Sequence, residues 1–152
     1  MYDRILVHVD HKQAFEKYLP FLESLLRRNI AKEVVLTTAV KPTEPTLFGY
    51  VLDPADIARS DAYYFAQAEE LLRRIVARFA AAGIPIQTEI LVGEPTEAFR
   101  TYAAQGGFDL VVIAPTGRRY LLTGKPKAFR RALRAVAKPI LILQALPPAQ
   151  AS

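Results

Sequence analysis

Strand-like and helix-like segments alternate along the whole chain. The strand-like segments are short apolar runs rich in β-branched residues, without the polar alternation of a half-exposed strand. The segments between them repeat apolar residues at helical spacing. This order predicts right-handed crossovers, and therefore an α/β fold with one doubly wound sheet of parallel strands. The five predicted strands are 4–9, 33–40, 86–92, 108–114 and 139–143, and the four predicted helices begin near residues 15, 56, 97 and 127.

Prolines and glycines limit these helices. Pro20 lies inside the pattern of the first helix, so this residue either kinks the helix or belongs to a late first turn. Residues 41–54 include three prolines and Gly49, and we predict a loop there. Gly83 suits the position after the last turn of the second helix, which we predict to cover residues 56–82.

The composition is that of an ordinary globular protein. The chain has 152 residues, of which 51% are hydrophobic and 23% charged, which suits one domain with its own core. It has no cysteine and two histidines, so a disulfide framework or a thiolate metal site cannot form. We find no signal-peptide pattern and no apolar run of about 20 residues that could span a membrane. We expect a cytoplasmic protein with a single domain over residues 1–146 and a disordered tail over residues 147–152.

Basic residues are concentrated in the last third of the chain. The net charge is +5, and no acidic residue follows Asp109. Such a concentration creates a positive field that attracts phosphates or other polyanions. The alternative interpretation is the solvated outer face of a basic helix. The basic residues of this region are Arg118, Arg119, Lys125, Lys127, Arg130, Arg131, Arg134 and Lys138.

Several residues mark the edge of the sheet at which a ligand would bind. Ligands of doubly wound sheets bind outside the carboxyl ends of the strands, where the strand order reverses. Asp10, Val40 and Gly93 stand at the ends of three predicted strands, and the loop after Ala114 follows a fourth. The carboxylate of Asp10 needs a hydrogen-bond donor, which a nearby amide or a bound ligand can supply. This convergence follows from the fold and leaves the identity of the ligand open.

Four segments carry a pattern that is more specific than the alternation. Residues 2–10 form a first strand ending in aspartate, and residues 92–97 read Val-Gly-Glu-Pro-Thr-Glu before the third helix. Residues 108–118 form a buried strand followed by Pro-Thr-Gly-Arg, and residues 138–143 begin the last strand with Lys-Pro. In this order the segments resemble the universal stress protein family. The resemblance implies an adenine nucleotide alpha hydrolase-like fold with strand order 3-2-1-4-5, in which Asp10 faces the adenine.

The phosphate loop departs from the family pattern. ATP-binding members carry a glycine, two residues, a second glycine, nine residues, and then a glycine followed by serine or threonine. In this chain the first position is Ala114 and the second is Gly117. The final pair is Lys127-Ala128, or Pro126-Lys127 when it is counted back from the last strand. Only the middle glycine is therefore present, and no hydroxyl group follows.

Two interpretations of this loop remain open. In the first, the protein does not bind ATP in the usual pose and the loop is a connector; His11, Lys12 and Gln13 would also crowd the base and ribose. In the second, cationic side chains replace the glycine backbone and hold the phosphates through charge-assisted hydrogen bonds. ATP or AMP is then the candidate ligand. The candidate binding residues are Asp10, Val40, Gly93, Gly117, Arg118, Arg119, Lys125 and Lys127.

Two other features have simpler structural explanations. His8 lies two positions before Asp10 and points to the same face of the sheet, which would permit acid–base chemistry. We favour instead a half-buried strand residue with a hydrogen-bond partner. The aromatic residues 63–65 could stack on nucleobases, but at helical spacing they are predicted to belong to the core and its rim.

The last strand predicts how copies of the chain assemble. In a sheet of order 3-2-1-4-5 it lies at the edge, and it is too apolar to remain unpaired in water. The resemblance implies a homodimer in which this strand pairs antiparallel with its mate. The residues of that interface are Ile140, Leu141, Ile142 and Leu143.

These features together predict a non-catalytic regulatory or binding protein, similar to universal stress proteins. Its ligand would be an adenine nucleotide or another small anionic molecule. One alternative is a weak Mg-dependent ATP hydrolase, which needs a metal-organising hydroxyl or acid near the phosphates; the sequence has no such hydroxyl at the expected place. The other is a basic nucleic-acid-binding module, which depends on the basic last third alone. We expect neither nucleic-acid binding nor membrane association.

Overall fold

The computed structural model describes residues 2–9, 18–28, 31–114, 131 and 134–143. Within these ranges, residues 131 and 134–136 are helical and belong to the fourth predicted helix, whose beginning lies outside the described part of the chain, as does the predicted tail. The other elements are β1 (Tyr2–Val9), α1 (Leu19–Arg28), β2 (Ala31–Val40), β3 (Thr46–Leu47), β4 (Tyr50–Val51), α2 (Pro54–Ala81), β5 (Gln87–Val92), α3 (Pro95–Gln105), β6 (Leu110–Ala114) and β7 (Ile140–Ile142).

Five strands form one parallel sheet in the order β5-β2-β1-β6-β7. When the short strands β3 and β4 are set aside, this is the order 3-2-1-4-5, so the predicted doubly wound fold is confirmed. From β1 the chain builds one side of the sheet with β2 and β5, and then crosses to the other side of β1 for β6 and β7. The strand order therefore reverses between β1 and β6.

Apolar layers cover both faces of the sheet. Because alternate strand residues point to opposite faces, β1 gives Ile5 and Val7 to one layer and Leu6 to the other. The first layer packs the sheet against α1 and α2, and the second packs it against α3 and Val136. Burial on both faces explains why the central strands read as continuous apolar runs in the sequence.

The segment between β2 and α2, predicted as a loop, contains a short antiparallel hairpin of β3 and β4. Phe48 and Gly49 form its two-residue turn, with φ angles of 51° and 80°. Positive φ at both central residues is what a type I′ hairpin turn requires. The sequence does not predict this hairpin, because phenylalanine is not the Asn or Asp that usually marks the first of these positions.

Prolines begin the helices rather than interrupt them. Pro20 lies in the first turn of α1, where its missing N–H is tolerated, so the interpretation as a late first turn is correct. Helices α2 and α3 each start at a proline, Pro54 and Pro95, which is earlier than predicted. The side chains of Asp53 and Glu94 cap them by accepting backbone N–H bonds of 2.9 and 2.8 Å. Among the described helices, none combines the length and the apolar character that crossing a membrane requires.

Candidate functional site at the strand ends

The carboxyl ends of four strands lie side by side at one end of the sheet, called here the carboxyl end of the sheet. Val9 of β1 pairs with Ala114 of β6, and Val40 of β2 pairs with Val92 of β5. The strand order reverses between β1 and β6, so a crevice of the kind that binds ligands in this fold is expected above these two strands. In the sequence, Asp10 follows Val9 directly, and the basic segment 115–130 follows Ala114.

Two of the eight predicted site residues lie in the described part of the chain, and the structure brings them together. The N–H of Gly93 donates to the carbonyl oxygen of Val40 over 3.0 Å, which extends the ladder between β2 and β5 by one residue. The side chain of Val40 is buried. The predicted residues that lie outside the described ranges are Asp10, Gly117, Arg118, Arg119, Lys125 and Lys127.

Gly93 connects β5 to α3 through an unusual backbone conformation. Its φ angle is +141°, a value that L side chains rarely adopt. Among the described residues beyond its chain neighbours, a Cβ atom at this position would meet the Cβ of Ala98 and no other atom within 4 Å, at an ordinary distance of 3.8 Å. The backbone angle, rather than a lack of space, therefore explains why glycine stands here.

The N-terminus of α3 lies beside the carboxyl end of the sheet, but the sequence of the helix itself already provides an anion. The carboxylate of Glu94 accepts the N–H of Glu97 over 2.8 Å. A helix N-terminus attracts negative charge, and here the capping carboxylate fills that position. A phosphate bound at the strand ends would therefore depend on donors other than the first turn of α3.

Two buried threonines of β2 stabilise the carboxyl end of the sheet. The sequence pattern alone does not identify them. The hydroxyl of Thr38 donates to the carbonyl oxygen of Val9 over 2.7 Å, which fixes the end of β1. The hydroxyl of Thr37 lies 2.9 Å from Nδ1 of His8. The signal in the sequence is a pair of hydroxyl residues within an apolar run, since buried polar groups require partners. Identifying those partners requires knowing that β1 and β2 are neighbours.

His8 is more deeply buried than predicted, with 2% of its surface exposed. Its ring packs against Phe99 with 5.0 Å between ring centroids, and Thr37 is its hydrogen-bond partner. Burial lowers the pKa of the imidazole to about 4, so the ring is neutral near pH 7. A neutral, enclosed imidazole is a core residue with a satisfied polar atom, which agrees with the structural interpretation and not with acid–base chemistry.

The segment that leaves Val40 is attached to α2. Asp61 accepts hydrogen bonds from the hydroxyl of Thr43 over 2.6 Å and from its backbone N–H over 2.8 Å. These two bonds, the hydroxyl bond first, hold the pKa of the Asp61 carboxyl below its usual value. The chain beyond β2 therefore starts from a defined position.

Across the described ranges, no group of three or more histidines and carboxylates is placed to hold a metal ion.

Comparison with solved structures shows the same fold in several proteins. A universal stress protein family member from Burkholderia pseudomallei is 22% identical, with a TM-score of 0.66 over 95% of this chain and 97% of that chain. A family protein from Arabidopsis thaliana with AMP bound is 16% identical, with a TM-score of 0.62 over 99% of both chains. A universal stress protein in complex with cAMP is 21% identical, with a TM-score of 0.62 over 95% of this chain and 99% of that chain. No curated protein matches the sequence.

At these identities the structures establish the fold, and the family follows from the sequence itself. The model of the universal stress protein family matches residues 1–143 of the 152. The match spans all five strands of the sheet and the turn at Gly93. The chain therefore belongs to the universal stress protein family.

Proposed function

We propose that this protein is a non-catalytic regulatory protein of the cytoplasm that binds an adenine nucleotide, or another small anionic ligand, at the carboxyl ends of β1 and β6. The observation that carries the proposal is the reversal of strand order between these strands, which end side by side at Val9 and Ala114. In doubly wound sheets a ligand crevice opens at this point. Asp10 and the segment with Arg118 and Arg119 continue directly from these two ends.

The comparisons support the class of ligand. Family proteins of the same fold have been solved with AMP and with cAMP, which share an adenine base and a phosphate. A carboxylate such as that of Asp10 can accept a hydrogen bond from the adenine amino group. These features make an adenine nucleotide the first ligand to test.

Charge supports cationic side chains as the phosphate ligands. The N-terminus of α3 is capped by Glu94, and the family's glycines are replaced at two of three positions of the loop. Arginine forms bidentate hydrogen bonds with phosphate oxygens, and these bonds do not require glycine in the backbone. We infer that Arg118, Arg119, Lys125 and Lys127 hold the phosphates.

Calorimetry with ATP, AMP and cAMP tests the proposal on the wild type, on an Arg118→Ala/Arg119→Ala variant and on Asp10→Ala. Hydrogen bonds with charged groups contribute about 1.5–3 kcal/mol each, so we expect the double variant to bind at least about tenfold more weakly. Asp10→Ala should weaken binding of all three adenine ligands but leave the affinity for inorganic pyrophosphate unchanged.

An Arg27→Ala/Arg28→Ala variant is the matched control. These arginines are also adjacent in the sequence. They lie at the end of α1 that leads into the start of β2, on the side of the sheet opposite to the carboxyl ends of the strands. The control should bind like the wild type. Absence of binding by the wild type, or equal loss in both double variants, would contradict the proposal. Recovery of intact ATP after incubation with Mg²⁺ would separate binding from hydrolysis.

A further inference from the structure

Strand β5 has an open outer edge. In the described part of the chain it pairs with β2 on one side and with no strand on the other. The bond from the N–H of Gly93 to Val40 shows which residues direct their backbone groups toward β2. Because this direction alternates along a strand, the N–H and C=O groups of Thr88, Ile90 and Val92 point outward. They form a row of donors and acceptors along the edge.

Two grooves of different chemistry lie on either side of this edge. The groove on the α2 side has a volume of about 560 Å³, and most of its lining is apolar. Its charged residues are Glu69, Arg73 and Glu89, so both signs are present, and Glu89 also lines the groove on the α3 side. The apolar residues of the lining are Phe65, Leu72, Val76, Ile86 and Ile90.

The groove on the α3 side has a volume of about 450 Å³ and is acidic. Glu89, Glu94 and Glu97 line it, and none of the described residues in its lining is basic. Arg100, outside the lining, pairs with Glu97 at 2.7 Å. The other two carboxylates have neutral partners, because Glu89 accepts the hydroxyl hydrogen bond of Tyr102 and Glu94 accepts a backbone N–H of α3. The groove therefore keeps an excess of negative charge. Val92 lies beside it with 64% of its surface exposed.

We propose that the outer edge of β5 binds an extended segment of a partner protein in which apolar and basic side chains alternate. Such a segment would form backbone hydrogen bonds with Thr88, Ile90 and Val92, which is the mode known as β-augmentation. Side chains of an added strand alternate between the two faces of the sheet. One row would enter the apolar groove along α2, and the other row would meet the carboxylates along α3.

A second copy of this chain fits the edge less well. β7, which forms the opposite edge of the described sheet, consists of three apolar residues and has no basic side chain of its own. The exposed carboxylate of Glu89 also opposes close approach of another apolar strand, because edge charges commonly prevent pairing between copies. The alternating segment satisfies the backbone row and both grooves at the same time.

A synthetic peptide of roughly eight residues, the length of an ordinary strand, tests the proposal by NMR titration. The probe is an acetylated and amidated peptide of alternating valine and lysine. The comparison peptide has the same composition with its valines and lysines in two blocks. We expect the alternating peptide to bind more tightly, to slow hydrogen exchange at the amides of Thr88, Ile90 and Val92, and to bind more weakly as salt increases.

Two variants and a control separate the contributions. Thr88→Pro removes one outward N–H and no bond to β2, since edge strands tolerate proline where the N–H faces solvent. Glu89→Gln removes a charge and keeps an acceptor for Tyr102. Thr88→Pro should weaken binding of the alternating peptide by about three- to tenfold, the effect of one hydrogen bond. Glu89→Gln should weaken it by about two- to fivefold, the effect of one exposed ion pair. Glu44→Gln, which removes a charge whose partner Lys41 also lies outside both groove linings, should have no effect.

Several results would overturn the proposal. These are equal binding of the two peptides, unchanged exchange at the three outward amides, or equal affinity of Glu89→Gln and wild type for the alternating peptide. Self-association that slows exchange at the same amides would assign the edge to a second copy. If Thr88→Pro does not fold, the exchange pattern of the wild type decides the question without that variant.

Discussion

At the scale of single residues, His8 makes stability depend on pH. Burial lowers its pKa from 6.5 to about 4, so the imidazole stays neutral in the folded protein while the unfolded chain protonates near pH 6.5. Between these values the unfolded state binds more protons, and stability therefore falls as the pH decreases. We expect a loss of about 2 kcal/mol between roughly pH 7.5 and pH 5, measured by urea denaturation.

The variant His8→Gln isolates this contribution. Glutamine does not titrate, and its amide can still form a hydrogen bond with the hydroxyl of Thr37. Whatever its own stability at pH 7.5, the variant should lose most of the pH dependence that the wild type shows in this window. An unchanged slope in His8→Gln would mean that other groups, such as carboxylates, cause the dependence.

The sequence shows what a residue needs more readily than what it touches. That His8 requires a hydrogen-bond partner could be predicted, because it stands in a buried strand. That the partner is Thr37 and that the ring packs on Phe99 could not, because both contacts depend on which elements become neighbours. Val40 and Gly93 are an intermediate case. Parallel topology predicts that both lie at the carboxyl end of the sheet, and the structure adds the hydrogen bond between them.

At the scale of elements, the turn from β5 to α3 depends on one backbone angle. Gly93→Ala places a side chain at φ +141°, and we expect the free energy of unfolding to fall by about 1–2 kcal/mol. A double-mutant cycle with Ala98→Gly identifies the cause, since among the described residues beyond the chain neighbours of Gly93, Ala98 carries the one atom within 4 Å of the new Cβ. If backbone strain is responsible, the two effects in urea denaturation should add. Recovery of stability in the double variant would indicate a steric clash instead.

Elements were predictable where local chemistry determines them. The central strands are buried on both faces, so their apolar runs marked them, and Gly83 correctly marked the end of α2. The sequence predicts later starts for α2 and α3 than the structure has, because proline at the first helical position resembles a loop residue. The hairpin at Phe48 could not be predicted, since phenylalanine rarely adopts a positive φ angle.

At the scale of the whole molecule, the two edges of the sheet differ in chemistry. The β5 edge carries Glu89 and lies beside an acidic groove, whereas β7 consists of three apolar residues. The alternation of elements predicted two helical layers around a parallel sheet, and the family resemblance supplied the strand order. Neither could predict how the edges are covered, because side-chain chemistry along an edge becomes visible only when the neighbours of each strand are known.

We expect the β7 edge to form a homodimer by antiparallel pairing with its mate. The N–H of Leu143 donates to Ile113, so by alternation the backbone groups of Ile140 and Ile142 point outward, and 37% of the Ile142 surface is exposed. Ile142→Lys would bury a charge in that interface, so we expect dimerisation at least about tenfold weaker in sedimentation equilibrium. Phe21→Lys, which changes an exposed apolar residue of α1, should dimerise like the wild type. A wild type that remains monomeric at micromolar concentration, or equal weakening by both variants, would show that β7 is not the interface.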